Sequence, residues 1–241
     1  MADIPGALPN RTEGSGPPLK RVLDVGLACA ALAVLAPVLL LAALAICIED
    51  GWPILFFQTR LGQYGEEFVL YKFRKFRKRN LQGSLPLTLR DDPRLTRVGR
   101  FLERSKIDEL PQLWNILKGD MALVGPRPET PHFSDCFEGS HRELLSYKPG
   151  LFGPSQAVFR NESMLHEAGH DPEQFYRAVL FPMKARLDLA YFPYCSVRLD
   201  IRWAARCVMA VLGLGFLPDA GADLASQVES CLELLAYEAK R

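Results

Sequence analysis

Asp108-Glu109-Leu110-Pro111-Gln112 sets two adjacent carboxylates at the start of an apolar run that ends at Lys118-Gly119. Leu110, Leu113, Trp114 and Leu117 recur at i, i+3, i+4 and i+7, which predicts a helix with one buried stripe. Pro111 fixes where that helix begins, because proline is tolerated in the first turn, where its missing N–H has no partner to lose. The N-cap is then Ile107 or Asp108. With Asp108 as the cap, Pro111 falls at N3, whose N–H would otherwise bind the cap carboxylate. The Asp108 carboxylate is thereby freer than an ordinary cap to meet a ligand, and the positive helix end should keep it ionised. An ionised, under-used carboxylate beside a second one suits nucleophilic or metal-assisted chemistry. The plainer alternative is an acid-rich first turn with no chemistry.

A second candidate follows in Gly119-Asp120-Met121-Ala122-Leu123-Val124-Gly125-Pro126-Arg127-Pro128-Glu129. Gly119 is a helix-ending residue, Ala122 to Val124 reads as a short buried strand, and Gly125-Pro126 as a turn. Arg127, held between two prolines, sits on a stiff extended backbone. A guanidinium fixed in this way loses little freedom on gripping a diphosphate through two bonds. A rigid turn with an incidental arginine is the competing account.

The elements that must position these groups lie upstream. From Arg60 to Lys106 the chain is strongly basic, with Lys72, Arg74, Lys75, Arg77, Lys78, Arg79, Arg90, Arg94, Arg97, Arg100 and Arg104 opposed by few acids. Such a block could hold anionic lipid head groups or nucleic-acid phosphates. Neither accounts for Phe68, Leu70, Tyr71, Phe73 and Phe76 threaded through it. Glu67 to Arg74 reads as a strand that needs packing on one face, and so belongs to a folded domain. Gln63-Tyr64-Gly65 is a turn joining it to the run Ile54 to Gln58.

The 241 residues allow one domain, or one domain with appendages. The net charge of +1 excludes no partner, because the charges are unevenly placed. Six cysteines show no Cys-x-x-Cys pair, and read as free thiols in a reducing compartment. The four histidines are assigned no role. The first 18 residues, rich in proline and glycine, read as a disordered leader. Val25 to Ile48 carries no charge, and as a straight helix would span roughly 36 Å against a hydrocarbon core of about 30 Å. Pro37 should kink it. It is too long for a signal-peptide core, and no small-residue cleavage site follows. Three readings compete: a spanning helix, a bent helix that enters and leaves by one face, and a buried helix of a soluble core. Basic residues flank both ends, which favours the same side for both. Asp200 to Phe216 suits a helix in the head-group layer or a core helix. Leu224, Val228, Cys231, Leu232 and Leu235 suggest an amphipathic tail helix, one use of which is self-association.

Further sequence marks run in order between residues 19 and 210. They are Lys20-Arg21-Val22-Leu23-Asp24, Pro53-Ile54-Leu55-Phe56-Phe57-Gln58-Thr59-Arg60-Leu61-Gly62, Tyr71-Lys72-Phe73-Arg74, and Asp92-Pro93-Arg94-Leu95-Thr96-Arg97-Val98-Gly99-Arg100. The two segments discussed first come next, followed by Lys148-Pro149-Gly150-Leu151-Phe152-Gly153, then Leu187-Asp188-Leu189-Ala190-Tyr191 with Ser196 and Asp200. This ordered set resembles the bacterial sugar transferase family, the monotopic polyprenol-phosphate phosphoglycosyl transferases. The resemblance implies transfer of a sugar-1-phosphate from a UDP-sugar to undecaprenyl phosphate, with release of UMP, as the first membrane step of surface-glycan assembly. It implies Asp108 as nucleophile, carrying a phosphosugar, and Mg²⁺ held at Asp108 and Glu109. Lys72 and Arg127 would be phosphate contacts, with Arg74, Arg94 and Arg97 as further ones. Arg160-Asn161 match a short polar motif that lines the family's site, and Asp188 would orient a cation or the metal. The implied partners are the UDP-sugar, undecaprenyl phosphate and membrane lipids, with homo-oligomers as an option and no nucleic acid.

Departures from the family pattern are Ala36-Pro37 for a Ser-Pro pair, Lys75-Phe76 for a small residue and methionine, and Leu151 to Gln156 for an Ile-Thr-Gly-Leu run. The expected fold is mixed α/β: a small catalytic domain with a kinked, re-entrant N-terminal membrane helix and interfacial amphipathic helices. The expected parts are a leader (1–18), a membrane-embedded helix (19–50), the catalytic domain (51–210) and a helical tail (211–241). The rival from another class is a non-catalytic, membrane-tethered basic module that binds anionic lipid or a partner protein.

Overall fold

The charge-free run becomes a single long helix, α1 (Pro18–Asp50), with Pro37 inside it. This computed structural model describes residues 18–78, 87–89, 92–162, 171–214 and 224–239. The expected leader lies outside the described residues except for Pro18, which already belongs to α1, and Arg79, Arg90, His166, His170 and Phe216 lie outside them too. α1 is long and apolar enough to cross a membrane, and only 11% of its most hydropathic window is buried against the protein. That excludes a soluble-core helix. Val34, Leu40, Leu41, Leu44 and Ile48 are exposed, whereas Ala28, Ala42 and Ile46 face the folded body.

Both ends of α1 are fastened to that body. Near its start, Arg21 donates to Ile116 O (2.5 Å) and Leu117 O (2.9 Å), and Lys20 pairs with Asp200. At its end, Glu49 accepts from Arg97 N and Val98 N (2.7 and 2.8 Å), and Asp50 pairs with Arg74.

β1 (Leu55–Leu61) and β2 (Glu67–Phe73) form the expected antiparallel hairpin, with Phe56 opposite Lys72 and Phe57 opposite Tyr71. Tyr64 (φ 60°) and Gly65 (φ 76°) make its turn. α2 (Arg97–Ser105) begins at Thr96, whose hydroxyl accepts from Gly99 N, and stops where Lys106 turns left-handed at φ 58°.

The Asp-Glu segment differs from the expected helix start. Ile107–Glu109 is a tight 3₁₀ turn between two helices, and Pro111 itself caps α3 (Gln112–Lys118). α2 runs almost up to Asp108, so the chain must reverse there and the helix starts four residues later. The buried face is also rotated from the expected stripe: Gln112, Leu113, Asn115 and Ile116 are buried, and Trp114 is 54% exposed. Asn115 explains the rotation. Its amide donates to Val69 O (2.7 Å) and accepts from Tyr71 N (3.1 Å), docking α3 on the free edge of β2.

β3 (Ala122–Val124) pairs in parallel with β4 (Gly150–Phe152), so the second sheet also has two strands. Gly125 and Gly150 lie back to back there, and a Cβ on either would strike the other segment's backbone. Then come α4 (Pro154–Val158), α5 (Pro172–Phe175), a wider helical turn through Tyr176–Leu180, α6 (Phe181–Tyr191) and α7 (Val197–Val211). The main core gathers Phe133, Tyr176, Leu180, Leu187, Tyr191 and Trp203. α7 buries Trp203 and Cys207 yet exposes Ile201 and Val208, so it serves as a core helix on one face and leaves an apolar strip on the other. α8 (Leu224–Ala239) packs Val228, Cys231 and Leu235 on the same core. Glu238 then clamps Arg206 at 2.7 and 3.0 Å.

Candidate active site

Four of the expected residues converge. Asp108 is 3% exposed, and its Oδ1 has no hydrogen-bond partner among the described residues. Glu109 Oε1 accepts from Lys72 Nζ at 2.8 Å and from Arg127 Nη2 at 3.2 Å. The hairpin delivers Lys72 and the turn after β3 delivers Arg127. Arg60, beside them on β1, donates to Pro128 O (2.9 Å), and Leu61 N donates to Glu129 O (2.7 Å). These two bonds staple the Pro-Arg-Pro turn to the hairpin.

The adjacent carboxylates have opposite electrostatics. Burial pushes the Asp108 carboxyl up, and the charge of Glu109 adds to this against the nearby Lys75 and Lys72. No regular helix begins at Asp108, so the expected helix end is not there to favour its ionised form, and burial opposes that form. Burial also opposes ionisation of Glu109, but Lys72 and Arg127 overcome it and hold that carboxyl well below the usual range. Lys72 is drawn down to about 8, burial outweighing the pull of Glu109. Arg127 is buried too, yet Glu109, Glu162 and Glu129 hold its affinity for the proton above the ordinary range.

The other expected contacts are placed elsewhere or already engaged. Arg74 is 2% exposed and donates to Asp50 Oδ2 (2.5 Å), Gly51 O (2.6 Å) and Asp50 O (3.1 Å), so it fastens the end of α1. Arg94 chelates Asp92, donates to Leu87 O (2.8 Å) and stacks on Phe76, away from the carboxylate pair. Arg160 touches the site's cavity but donates to Ala210 O, Val211 O (3.2 Å) and Arg104 O (3.1 Å), capping α7. Asp188 is no surface ion pair. It is buried behind the site, accepts from Ser155 N (3.1 Å) and Ser155 Oγ (2.8 Å), and is pushed by burial up to about 7. Arg97 contributes its backbone N–H to Glu49.

The carboxylate pair opens into a cavity of about 1140 Å³. One wall is apolar, from Leu27, Ala31, Leu35 and Val38 of α1 and Ile201 and Val208 of α7. Lys72, Asp108, Glu109 and Arg127 line it as well, and beyond Arg127 it reaches Glu129, Tyr176, Glu162 and Lys184. Arg60, Glu129, Tyr176 and Lys184 were not legible as site residues. Arg60 and Glu129 stood only as members of the runs Pro53 to Gly62 and Gly119 to Glu129, and Tyr176 and Lys184 carried no signal.

A divalent cation has a sparse but chemically suitable site here. Among the described residues no cluster of three or more His, Cys, Asp or Glu could hold a metal alone. Mg²⁺ does not require one, because it takes one or two carboxylates and fills its octahedron with phosphate oxygens and water. The unpartnered, buried Oδ1 of Asp108 beside the ionised Glu109 fits that pattern.

Comparison with known proteins places the sequence in a family. A UDP-glucose:undecaprenyl-phosphate glucose-1-phosphate transferase of Caulobacter vibrioides is 46% identical over 140 residues, covering 57% of this chain and 52% of the relative. A protein of the same description from Escherichia coli K12 is 37% identical over 145 residues, 57% of this chain and 30% of its own length. The uncharacterized sugar transferase EpsL of Bacillus subtilis is 34% identical over 195 residues, covering 80% of this chain and 87% of the relative. The chain thus spans about half, or less, of the first two. The family profile described as bacterial sugar transferase matches residues 16–213, which include both carboxylates, the hairpin and the Pro-Arg-Pro turn, and the chain belongs to that family.

Proposed function

We propose that this protein transfers a sugar-1-phosphate from a UDP-sugar to undecaprenyl phosphate through a phosphosugar carried on Asp108, releasing UMP and starting a surface glycan. The observation that carries the reading is the junction of two environments in one cavity. An apolar wall shared by α1 and α7 leads to the buried Asp108 and to its neighbour Glu109, which holds Lys72 and Arg127. A lipid-linked phosphate and a nucleotide diphosphate need these surfaces side by side. A mere tether needs neither the buried acid nor the arginine stapled at its turn. Relatives named for this transfer add support.

In the first displacement an Asp108 oxygen attacks the sugar-linked phosphorus, and the bond to the UMP phosphate breaks. Lys72 and Arg127 hold the diphosphate and receive the charge that builds on the departing oxygen. Burial of Asp108 removes the water that would shield it and later hydrolyse its acyl phosphate. In the second displacement an oxygen of the lipid phosphate attacks the same phosphorus, and the Asp108 carboxylate leaves. Splitting one transfer into two lets donor and acceptor use one cavity in turn. Bound Mg²⁺ at Asp108 and Glu109 would supply positive charge that offsets repulsion between the acid and the diphosphate.

The fastening of both ends of α1 to one body supports a helix that enters and leaves by the same face. Basic residues on both flanks favour the cytoplasmic side of an inner membrane for the catalytic domain. A UDP-sugar panel with undecaprenyl phosphate and radiolabel on the sugar phosphate tests the chemistry. Wild-type protein should release UMP and trap label at position 108, and Asp108→Asn should do neither. Equal UMP release by Asp108→Asn would remove Asp108 as the nucleophile. Protease access to tags at both termini tests the topology, and cleavage of one tag alone from outside would refute it.

A further inference from the structure

The charged pair of Lys75 and Glu103 in the cavity wall has as yet no part in the two displacements. Lys75 and Glu103 both line the cavity, with side chains 19% and 16% exposed, and Lys75 Nζ lies 3.2 Å from Glu103 Oε1. Their meeting is built into the backbone. Thr96 N donates to Lys75 O (3.0 Å), and Gly99 rests so closely on that carbonyl that a Cβ would collide with it. Glu103 follows Gly99 by one helical turn, which sets its carboxylate over the lysine.

The bases around the two carboxylates are divided. Lys72 and Arg127 contact Glu109, whereas Lys75 is the charge that acts most strongly on Asp108. Lys75 also lies two residues past Phe73, whose ring packs on Ala42 and Ile46 of the membrane helix. An ammonium near the nucleophile and close to α1 stands where a lipid-borne phosphate would arrive. We propose that Lys75 binds the phosphate of the lipid acceptor for the second displacement, with Glu103 as its resting counter-ion.

This inference rests on the two-step reading above. Once Asp108 carries the phosphosugar, the incoming phosphate monoester must approach a second phosphate, and Lys75 offsets their repulsion. The new P–O bond joins the lipid oxygen to the sugar-bearing phosphorus. The acyl P–O bond breaks, and Asp108 recovers its carboxylate beside the lysine.

The test uses the full chain in lipid nanodiscs, with the UDP-sugar that the wild type accepts best. It compares UMP exchange into that UDP-sugar without acceptor against transfer to undecaprenyl phosphate. Lys75→Gln should raise the acceptor KM about tenfold or more, and lower transfer relative to exchange, as loss of one charge-assisted contact implies. Lys75→Arg should restore most of it. Glu103→Gln breaks the same ion pair and frees the ammonium, so it should not raise the acceptor KM. If Lys75→Gln and Glu103→Gln raise it alike, or Lys75→Gln leaves it unchanged, the pair is structural and the inference is overturned. If Lys75→Gln does not fold, Lys75→Gln is made together with Glu103→Gln, which leaves no carboxylate without its partner, and an acceptor KM equal to that of Glu103→Gln alone overturns the inference. Absence of exchange in the wild type overturns the two-step reading itself, and this inference with it.

Discussion

Lys72 Nζ stands 2.8 Å from Glu109 Oε1, with the two side chains 14% and 13% exposed, and that contact separates two neighbouring acids. Glu109 gains a second base from Arg127 and stays ionised, while Asp108, one residue earlier, has an oxygen without a partner. Two carboxyls pushed apart by their surroundings are the usual sign that they do different work. Here one is suited to form a bond and the other to hold charge in place.

Glu109→Gln keeps the side chain's shape and removes its charge. Turnover should then require at least about tenfold more Mg²⁺, the order of loss when a metal site is deprived of support. Chelation by EDTA should stop turnover in the wild type, and added Mg²⁺ should restore it. A titration of activity against free Mg²⁺ for both proteins checks this, and an unchanged midpoint would remove Glu109 from the metal site.

Arg74 is expected to matter for folding. Its guanidinium reaches Asp50 and the carbonyls of Asp50 and Gly51, so removing it leaves two carbonyl acceptors without this donor and the Asp50 carboxylate with only Lys78 N. Arg74 is buried and Asp50 is 27% exposed, so the loss costs about 1–3 kcal/mol. Arg74→Met should lose most of its detergent and thermal stability. Arg74→Lys should recover only part, because an ammonium lacks the planar fork that reaches all three oxygens. The fraction that remains folded should bind the donor with an unchanged KM, measured by active-site titration. A rise in donor KM at full stability would return Arg74 to the phosphate site.

The sequence carried the chemistry further than the geometry. The hairpin from Leu55 to Phe73 was legible because alternation and the Tyr64-Gly65 turn are local signals, and α1 because a charge-free run of that length has few other uses. Asp108, Glu109 and Arg127 were legible as candidates because acids before a proline and an arginine between prolines are unusual, whereas Lys72 was marked out from the other bases only by the family resemblance. What could not be read was which cations were already engaged. Arg74, Arg94 and Arg160 look like Lys72 in a string of letters, but carbonyls and acids occupy them, remote in sequence for Arg74 and Arg160 and as near as Asp92 and Leu87 for Arg94. The helix start was misplaced for a similar reason. Pro111 marks a first turn correctly, but the left-handed turn at Lys106 that ends α2 has no sequence mark, since lysine seldom adopts it.

Asp188 offers a pH test that does not touch catalysis directly. Burial raises its carboxyl to about 7, against Ser155 bonds and Lys184 that favour the ion, whereas the unfolded value is about 3.9. The fold therefore prefers the protonated acid. Its contribution is fully present below the unfolded value, declines as pH rises, and is lost as pH passes the folded value. The slope is at most about 1.4 kcal/mol per pH unit, or roughly 4 kcal/mol across the window from pH 4 to 7. Asp188→Asn should flatten that decline, because an amide can still accept from Ser155 N and donate to Ser155 Oγ. Denaturant unfolding at pH 5, 6, 7 and 8 should show the variant gaining on the wild type as pH rises, and being the more stable of the two at pH 8. Parallel curves for the two proteins would mean that Asp188 is ionised throughout, held by Lys184 and Ser155 more firmly than its burial opposes.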